Sequence, residues 1–539
     1  MANSHIDELS NRYFEQMLRL SPERATVVGV RHVDQGTWSD YSPEGIEALR
    51  EAASSTLAQL ETLEADGEDD DVAAAALRER LSLNIELVDA GQLTGALNVI
   101  DSPIQAIRDT FDLMPTATDD DWATIGRRLA AIPEALDGYR RALAWRLGSG
   151  PRPALRQVVK CAEQCDVVAG EDSPFSHLVA GREELDEACR AARAAYGELA
   201  EYLRREIAPA ASEVDAVGRE QYELASRVFL GARVDLDETY EWGLAELASI
   251  KAEQEDVARQ LYGPGVSVAE ACERLTADAQ RKLYGTDALR EWMQTTADGA
   301  MDAMGAYFDI PEPMRTIECC IAPSGTGGIY YTPPTDDFSR PGRMWWSVPA
   351  GVTEFTTWQE KTTVFHEGVP GHHLQLGLAI ALKDRLNDWR RHDCWVSGHG
   401  EGWALYSEQL MRELGFMDEP GEYMGLLDGM RLRATRVVLD IGLHLGKATD
   451  EGGTWDADYA WRFLCDNVAM DRSFLAFEFD RYLGWPGQAP SYKIGQRIWN
   501  ELRDDARRAA GADFDLKAWH MKALSIGSVG LDVLRQALA

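Results

Sequence analysis

Residues 364–375 read V-F-H-E-G-V-P-G-H-H-L-Q. This segment concentrates four side chains that can bind a cation or activate water, namely His366, Glu367, His372 and His373. The chain has ten histidines, and six of them lie within residues 366–444. The segment is therefore a candidate metal site with a neighbouring carboxylate base.

The spacing of these histidines does not suit a straight helix. Two histidines four residues apart lie on one helix face, about 6 Å apart, and can share a zinc ion. His366 and His372 are six residues apart, which puts them roughly 120° out of phase. His373 returns to the same face but lies about 10 Å along the axis. An unbroken helix would keep His366 from sharing a metal with either of them.

The residues between the histidines predict a break in the helix. Pro370 has no N–H group, and its ring clashes with the carbonyl four residues earlier, that of His366. Gly371 admits backbone angles that other residues avoid. We predict that this pair bulges the helix and brings His372 beside His366. The alternative is a kinked helix that carries surface histidines.

A third metal ligand is expected from a downstream helix, where glutamate is the usual residue type. Glu401 is our candidate, because the apolar Trp403 nearby indicates partial burial. We predict that His366, His372 and Glu401 bind Zn²⁺. Glu408 is predicted to orient one of the histidines by a hydrogen bond to the ring nitrogen that does not face the metal. Such ligands also suit Mn²⁺, Fe²⁺ or Co²⁺. In the alternative, both glutamates are solvated helix residues.

The next helix carries further candidates. Asp440 and His444 are four residues apart and face the same way, which suits a carboxylate-oriented histidine that stabilises an oxyanion. Arg433 and Arg436 could hold a substrate carboxylate in a fork geometry. In the alternative, these residues are structural or lie at the surface.

A loop rich in glycine and proline at residues 482–493 leads into another helix, and loops of this kind often line sites. Tyr492 is the first candidate for a hydroxyl that donates to an oxyanion. Tyr482 is the second, and it is also a candidate for substrate binding with the two arginines. The alternative for each is an aromatic side chain that packs and satisfies its hydroxyl.

The rest of the chain predicts a mainly α fold. Residues 1–305 read as a helical lobe, and residues 306–539 as a small antiparallel sheet plus the helical metal-site lobe, together one continuous catalytic body. Short β-prone runs at 316–321, 328–332 and 343–348 predict the sheet, with a turn at 323–327. An edge strand there could hold an extended peptide, or the hairpin could only pack. Thr357 and Glu360 fit a capping box for the helix that enters the histidine segment.

The composition limits the classes of binding partner. The net charge of −36 disfavours binding to nucleic-acid phosphates and to anionic lipid surfaces. The sequence contains no run of about eighteen apolar residues, so we expect no membrane-spanning helix. Its first residues lack a basic region followed by an apolar run, so we expect no signal peptide. The eight scattered cysteines contain no C-x-x-C motif, which favours a reducing cytoplasm.

Four motifs occur in order along the chain: H-E-x-x-P-G-H-x-x-Q at 366–375, E-G-W-A-L-Y at 401–406, R…D-x-G-x-H at 433–444 and P-G-Q-A…Y at 486–492. Over most of its length the chain resembles the bacterial domain-of-unknown-function family 885. The resemblance implies a zincin-like helical fold similar to thermostable-type metallocarboxypeptidases, with a long cleft between helical lobes. It also implies that His372, rather than His373, is the second ligand.

These observations predict a metal-dependent peptidase of carboxypeptidase-like or oligopeptidase type, with peptides as substrates. Glu367 takes the proton from the metal-bound water and passes it to the leaving amine. The metal, with His444 or Tyr492, stabilises the oxyanion. One alternative is a non-catalytic protein that binds peptide or metal. Another is a carboxylate-bridged metal oxidase, which needs Glu-x-x-His pairs that this region does not supply.

Overall fold

The computed structural model describes residues 4–322 and 328–539. Helices make up 68% of the chain and strands 5%, so the predicted mainly α fold is confirmed. The turn predicted at residues 323–327 lies outside the described residues. The helices of the first 305 residues are α1 (His5–Leu20), α2 (Pro22–Val27), α3 (Pro43–Leu60), α4 (Glu68–Asp89), α5 (Pro103–Thr110), α6 (Asp119–Ala130), α7 (Ile132–Ser149), α8 (Leu155–Ala169), α9 (Pro174–Leu178), α10 (Asp186–Tyr202), α11 (Arg219–Leu230), α12 (Leu236–Tyr262), α13 (Val268–Ala277) and α14 (Thr286–Met304).

The second part of the chain adds ten helices and most of the strands of the described residues. The helices are α15 (Thr357–Glu367), α16 (His372–Ala381), α17 (Asp388–His392), α18 (Ser397–Glu413), α19 (Pro420–Leu445), α20 (Ala457–Asn467), α21 (Arg472–Gly484), α22 (Ser491–Ala510), α23 (Leu516–Ser525) and α24 (Leu531–Leu538). The strands are β1 (Lys282–Tyr284), β2 (Ile317–Ile321), β3 (Ile329–Thr332), β4 (Gly342–Trp346) and β5 (Glu354–Thr356).

The predicted small sheet is present, and it has the strand order β2-β4-β3. The β3–β4 pair is antiparallel, with Ile329 opposite Trp346. Strand β2 lies parallel to β4 on its other side, because the chain passes through β3 before it returns. A separate antiparallel pair, β1 with β5, leads directly into α15. Sequence reasoning did not predict this second pair.

Buried side chains form three apolar clusters in the described residues. The largest extends from Ile6 in α1 to Leu534 in α24 and so draws on both predicted lobes. A second lies wholly within the first lobe, around Tyr139 and Tyr196. The third packs the small sheet against Val364 of α15. The sheet therefore lies beside the helix that carries the first histidine, while the division at residue 305 stays a prediction.

The predicted capping box at the start of α15 does not form. Thr356 occupies the N-cap position and makes no side-chain capping bond. Thr357 is already helical, and its hydroxyl donates to the backbone carbonyl of Arg281, 3.3 Å away. The β1–β5 pair fixes the entry of the helix in place of a capping side chain. Glu360 instead contributes to the wall of a cavity.

Helix α18, which carries Glu401, crosses α22 at a contact made of glycines. A Cβ atom at Gly402 would lie 2.5 Å from the backbone carbonyl carbon of Gly495. A Cβ atom at Gly495 would lie 2.1 Å from the carbonyl oxygen of Gly398. The two backbones therefore approach at a distance that no larger residue permits.

None of the helices in the described residues combines the length and apolar character needed to cross a membrane.

The glycine crossing generates a stability prediction. Gly402→Ala should lower the free energy of unfolding by about 1–3 kcal/mol, because the added methyl overpacks the contact. Gly299→Ala is the matched control, since Gly299 also lies inside a helix but its Cβ position is open. It should be neutral or stabilise by up to about 1 kcal/mol. Urea unfolding of both variants gives the comparison, and equal effects would contradict the close approach.

Candidate metal centre

The chain between the two helices of the histidine segment is a full interruption rather than the predicted bulge. Helix α15 ends at Glu367 and α16 begins at His372. The N–H of Gly371 donates to the carbonyl of Phe365 at 3.0 Å, which folds the connection back on the helix end. A Cβ atom at Gly371 would lie only 1.9 Å from the carbonyl oxygen of His366. Glycine is therefore required at this position.

A buried tryptophan holds the interruption in place. The indole N–H of Trp403 donates to the carbonyl of Pro370 at 3.0 Å and lies 3.2 Å from that of Gly371. Trp403 is completely buried and belongs to α18, the helix that also carries Glu401. The break and the third candidate ligand are thus tied to one rigid element.

The three predicted ligands come together. Nε2 of His366 lies 3.2 Å from Oε2 of Glu401, and Nε2 of His372 lies 3.5 Å from the same oxygen. One ligand atom from each residue lies within 4.8 Å of the others. The two imidazole rings stand edge to face, with centroids 5.1 Å apart. Three separate helices therefore aim one donor each at a common point.

Outer partners fix the orientation of both imidazoles. Nδ1 of His366 lies 2.7 Å from Oε1 of Glu408, whose other oxygen accepts from the hydroxyl of Thr362. Because a carboxylate only accepts, Nδ1 of His366 carries a proton and Nε2 faces the ligand point. Nδ1 of His372 lies 3.4 Å from Oε1 of Gln375. Glu408 has the orienting position predicted from the sequence, and this arrangement is typical of metal-binding histidines.

The charges around the ligands favour a cation. Burial opposes a charged His366, but hydrogen bonds to Glu401 and Glu408 prevail and raise its pKa to about 10. Burial likewise opposes a charged Glu401, but hydrogen bonds with His366 and His372 prevail and lower its pKa. In the absence of a metal, the carboxylates therefore retain a positive charge on the imidazole. The same surroundings fit a bound divalent cation.

Glu367 stands next to the ligands with its side chain in the same cavity. It is only 8% exposed, and burial raises its pKa, against the opposing influence of His366 and His372. The cavity has a volume of about 710 Å³ and is walled by α15, α16, α18, α19 and β3. Its lining includes all three candidate ligands and Glu367. A substrate in this cavity would meet the carboxylate and the ligand point together.

His373 is not placed to be a ligand. Its Nε2 donates to the carbonyl of Met314 at 2.7 Å, and its Nδ1 accepts from the hydroxyl of Tyr331 at 2.9 Å. One ring nitrogen therefore joins α16 to the segment before β2, and the other joins it to β3. Burial lowers the pKa of His373 to about 4, so the ring is neutral.

Two of the remaining predicted site residues line the cavity with free polar ends. The hydroxyl of Tyr492 makes no hydrogen bond to any described residue, and burial followed by the nearby Glu401 raises its pKa to about 12. Arg433 donates to its own helix, to the carbonyl of Gly429 at 3.2 Å. Within residues 4–322 and 328–539 its guanidinium has no carboxylate partner. Both side chains remain available to a substrate.

His444 does not reach the cavity, and its predicted role in stabilising an oxyanion is corrected. Its side chain is fully buried, and its Nε2 donates to the carbonyl of Tyr482 at 3.0 Å. The ring stacks on Tyr222, whose hydroxyl donates to Asp440. Asp440 and His444 face the same way as predicted, but they join helices inside the core.

The predicted substrate-binding roles of Arg436 and Tyr482 are also corrected, because both side chains already have buried partners. The guanidinium of Arg436 donates to Glu478 and to the hydroxyl of Tyr482, each at 2.7 Å. Tyr482 is 1% exposed and does not line the cavity. Arg436 lines the cavity, but its guanidinium is already paired with Glu478 and Tyr482. The structure therefore does not favour a substrate-binding role for either residue.

The profile of a bacterial protein family of unknown function, DUF885, matches residues 22–538. This chain belongs to the DUF885 family. The comparison with curated proteins gives no match.

Two solved structures share the fold of this DUF885 protein over nearly its whole length. One is a putative lipoprotein from Colwellia psychrerythraea, with a TM-score of 0.83 and 22% identity over 99% of this chain and 98% of that one. The other is a putative lipoprotein of unknown function from Shewanella oneidensis, with a TM-score of 0.77 and 16% identity over 99% of both chains. At these identities the likeness shows the fold alone.

Sequence reasoning missed the outer support of His372 in this DUF885 chain. Gln375 links His372 to His399, since its amide nitrogen lies 3.0 Å from Nδ1 of His399. The i, i+3 spacing of His372 and Gln375 was a usable signal. His399 had none, because it lies in a different helix and only the fold brings it near.

The different settings of the two arginines generate a stability prediction. Arg436→Met should lower the free energy of unfolding by about 3 kcal/mol, because Glu478 loses its main buried partner. Arg481, 2.8 Å from Glu478, retains one contact and keeps the loss from being larger. Arg433→Met, the matched control, should cost less than about 1 kcal/mol. Denaturant unfolding would contradict this assignment if the two variants lost equal stability.

Proposed function

We propose that this protein is a metal-dependent peptidase, with His366, His372 and Glu401 as the ligands of Zn²⁺. The convergence of these three donors beside Glu367, in a cavity large enough for a peptide, is the observation that carries the proposal. Pockets of this size bury most of a small organic ligand. When bound, zinc supplies a Lewis acid that polarises a carbonyl and makes water acidic enough to attack at neutral pH.

The donor set fits zinc on chemical grounds. Two imidazoles and one carboxylate leave a coordination position open, which is the usual arrangement of catalytic rather than structural zinc. Glu408 and Gln375 hold the outer nitrogens of the two rings, so both Nε2 atoms are directed inward. The same ligands would also accept Mn²⁺, Fe²⁺ or Co²⁺.

Three further side chains have distinct roles in the proposed reaction. Glu367 accepts a proton from the attacking water and delivers it to the departing amine nitrogen. The hydroxyl of Tyr492 donates to the oxygen of the scissile carbonyl as negative charge develops there. Arg433 binds the free carboxylate at the C-terminal end of the peptide. Its lack of a carboxylate partner in the described part of the chain supports a carboxypeptidase-like action.

We also propose that the fold is similar to that of zincin metallopeptidases of the thermostable carboxypeptidase type, and that the protein is cytoplasmic. The ordered α15–α16 break and the sheet beside it are compatible with such a fold. All eight cysteines are free thiols, which suits a reducing compartment.

The proposal predicts that zinc-loaded protein releases the C-terminal residue from short peptides, detected by mass spectrometry. Glu367→Gln should slow this release by about 10²–10⁴-fold, because the proton acceptor is lost. Its zinc content should stay at one ion per chain, since Glu367 is not a ligand. Glu360→Gln is the matched control, a carboxylate in the same cavity with no part in the chemistry, and it should lose less than about tenfold.

Each other outcome has a defined meaning. Undiminished hydrolysis by Glu367→Gln would contradict the mechanism. Binding of zinc and peptide without turnover would favour the non-catalytic alternative, a peptide- or metal-binding protein. Two metal ions per chain would favour the carboxylate-bridged oxidase.

A further inference from the structure

A second cavity of about 650 Å³ adjoins the one that contains the candidate ligands. Leu376 and Trp395 line both cavities, so these two side chains form the partition between them. The chain around β3 also passes from one to the other, with residues 328–331 at the first cavity and 332–337 at the second. The two cavities are therefore adjacent, and the candidate ligands lie on one side of the partition.

Trp395 has an unusual position for a large apolar side chain. The residue is 44% exposed, although its ring centroid lies 6.1 Å from that of His372. The six-membered ring of the indole packs on Gly400, where a Cβ atom would lie 2.1 Å from it. The backbone just before Glu401 thus holds the ring at the boundary of the two cavities.

The lining of the second cavity suits uncharged side chains. Val27, Ala379 and Ile380 contribute apolar surface. The charged residues of the lining already have partners within the protein: Asp336 pairs with Arg391 and Asp393 with Arg24, each at 2.7 Å. The others, Asp337, Arg340 and Arg390, make internal hydrogen bonds. A ligand here would gain mainly from burial of apolar surface, not from a new ion pair.

We propose that the second cavity is an extension of the substrate site, which takes the N-terminal part of a peptide whose C-terminal residue lies in the first cavity. This inference rests on the proposed peptidase function. The direction follows from Arg433, which places the free carboxylate in the first cavity. The chain then leaves the ligand point across the face of Trp395. The preferred substrates are oligopeptides with apolar residues upstream of the cleaved bond, and not dipeptides.

Helix geometry sets the expected length. Along α16, Leu376 lies about 6 Å from His372, and Ile380 lies about 12 Å from it. An extended peptide advances about 3.3 Å per residue. The second cavity therefore begins about two residues upstream of the cleaved bond and ends about four residues upstream.

The test is a series of peptides from dipeptide to heptapeptide with the same two C-terminal residues and leucine at every added position. For the zinc-loaded wild-type protein, kcat/KM should rise at least about tenfold between tripeptide and pentapeptide, since one well-buried leucine contributes about that factor. It should then level off, because the second cavity ends there.

Two variants that fill the second cavity from different elements should remove this rise, namely Val27→Trp and Ala379→Leu. The dipeptide rate should change less than about threefold in both, because a dipeptide does not reach the second cavity. Val167→Trp is the matched control, since Val27 and Val167 are both helical and both 65% exposed. It should keep the full length dependence.

The outcomes separate this inference from the function on which it rests. Cleavage of all lengths at equal efficiency would overturn the extended site and leave the peptidase proposal standing. A length dependence that persists in both filling variants would also overturn it. Failure to cleave or bind any peptide would overturn the peptidase proposal and the inference together.

Discussion

The structure of the site depends on one interruption of the backbone. Two imidazoles six residues apart can meet only if the helix between them ends and begins again at an angle. The break from Gly368 to Gly371 achieves this, and two contacts hold it. Trp403 donates its indole N–H to the carbonyls of the break, and the absence of a side chain at Gly371 lets the connection fold against the carbonyl of His366. Trp403 and Glu401 lie on the same helix, so the contact that holds the break also fixes the third donor relative to the two histidines.

The second constraint is electrostatic. Glu367, Glu401 and Glu408 surround the two imidazoles in a region largely shielded from water. Buried carboxylates are unfavourable unless a positive charge is close. A proton on His366 provides that charge when no metal is bound, and a divalent cation would provide it more fully. The arrangement therefore supports the proposed cation site independently of any reaction.

Sequence reasoning located the candidate metal ligands better than the residues around them. The mainly α fold, the break at Pro370 and the convergence of His366 and His372 with Glu401 all follow from spacing and backbone chemistry. The roles of His444 and Arg436 could not be read in this way, because spacing shows which residues share a helix face but not what the face packs against. In the fold, His444 packs inside the core and Arg436 pairs with Glu478. The partition at Trp395 was equally hidden, since spacing along the chain does not show which cavities a side chain will line.

Zinc binding tests the account most directly. We expect titration calorimetry of metal-free protein to give one Zn²⁺ per chain, and X-ray absorption at the zinc edge to show nitrogen from two imidazoles and oxygen from a carboxylate. His372→Ala should abolish tight binding, whereas the adjacent His373→Ala should still bind one ion in its folded fraction. Retention of tight zinc binding by His372→Ala, or equal loss in both variants, would contradict the claim that the interrupted helix builds the ligand set.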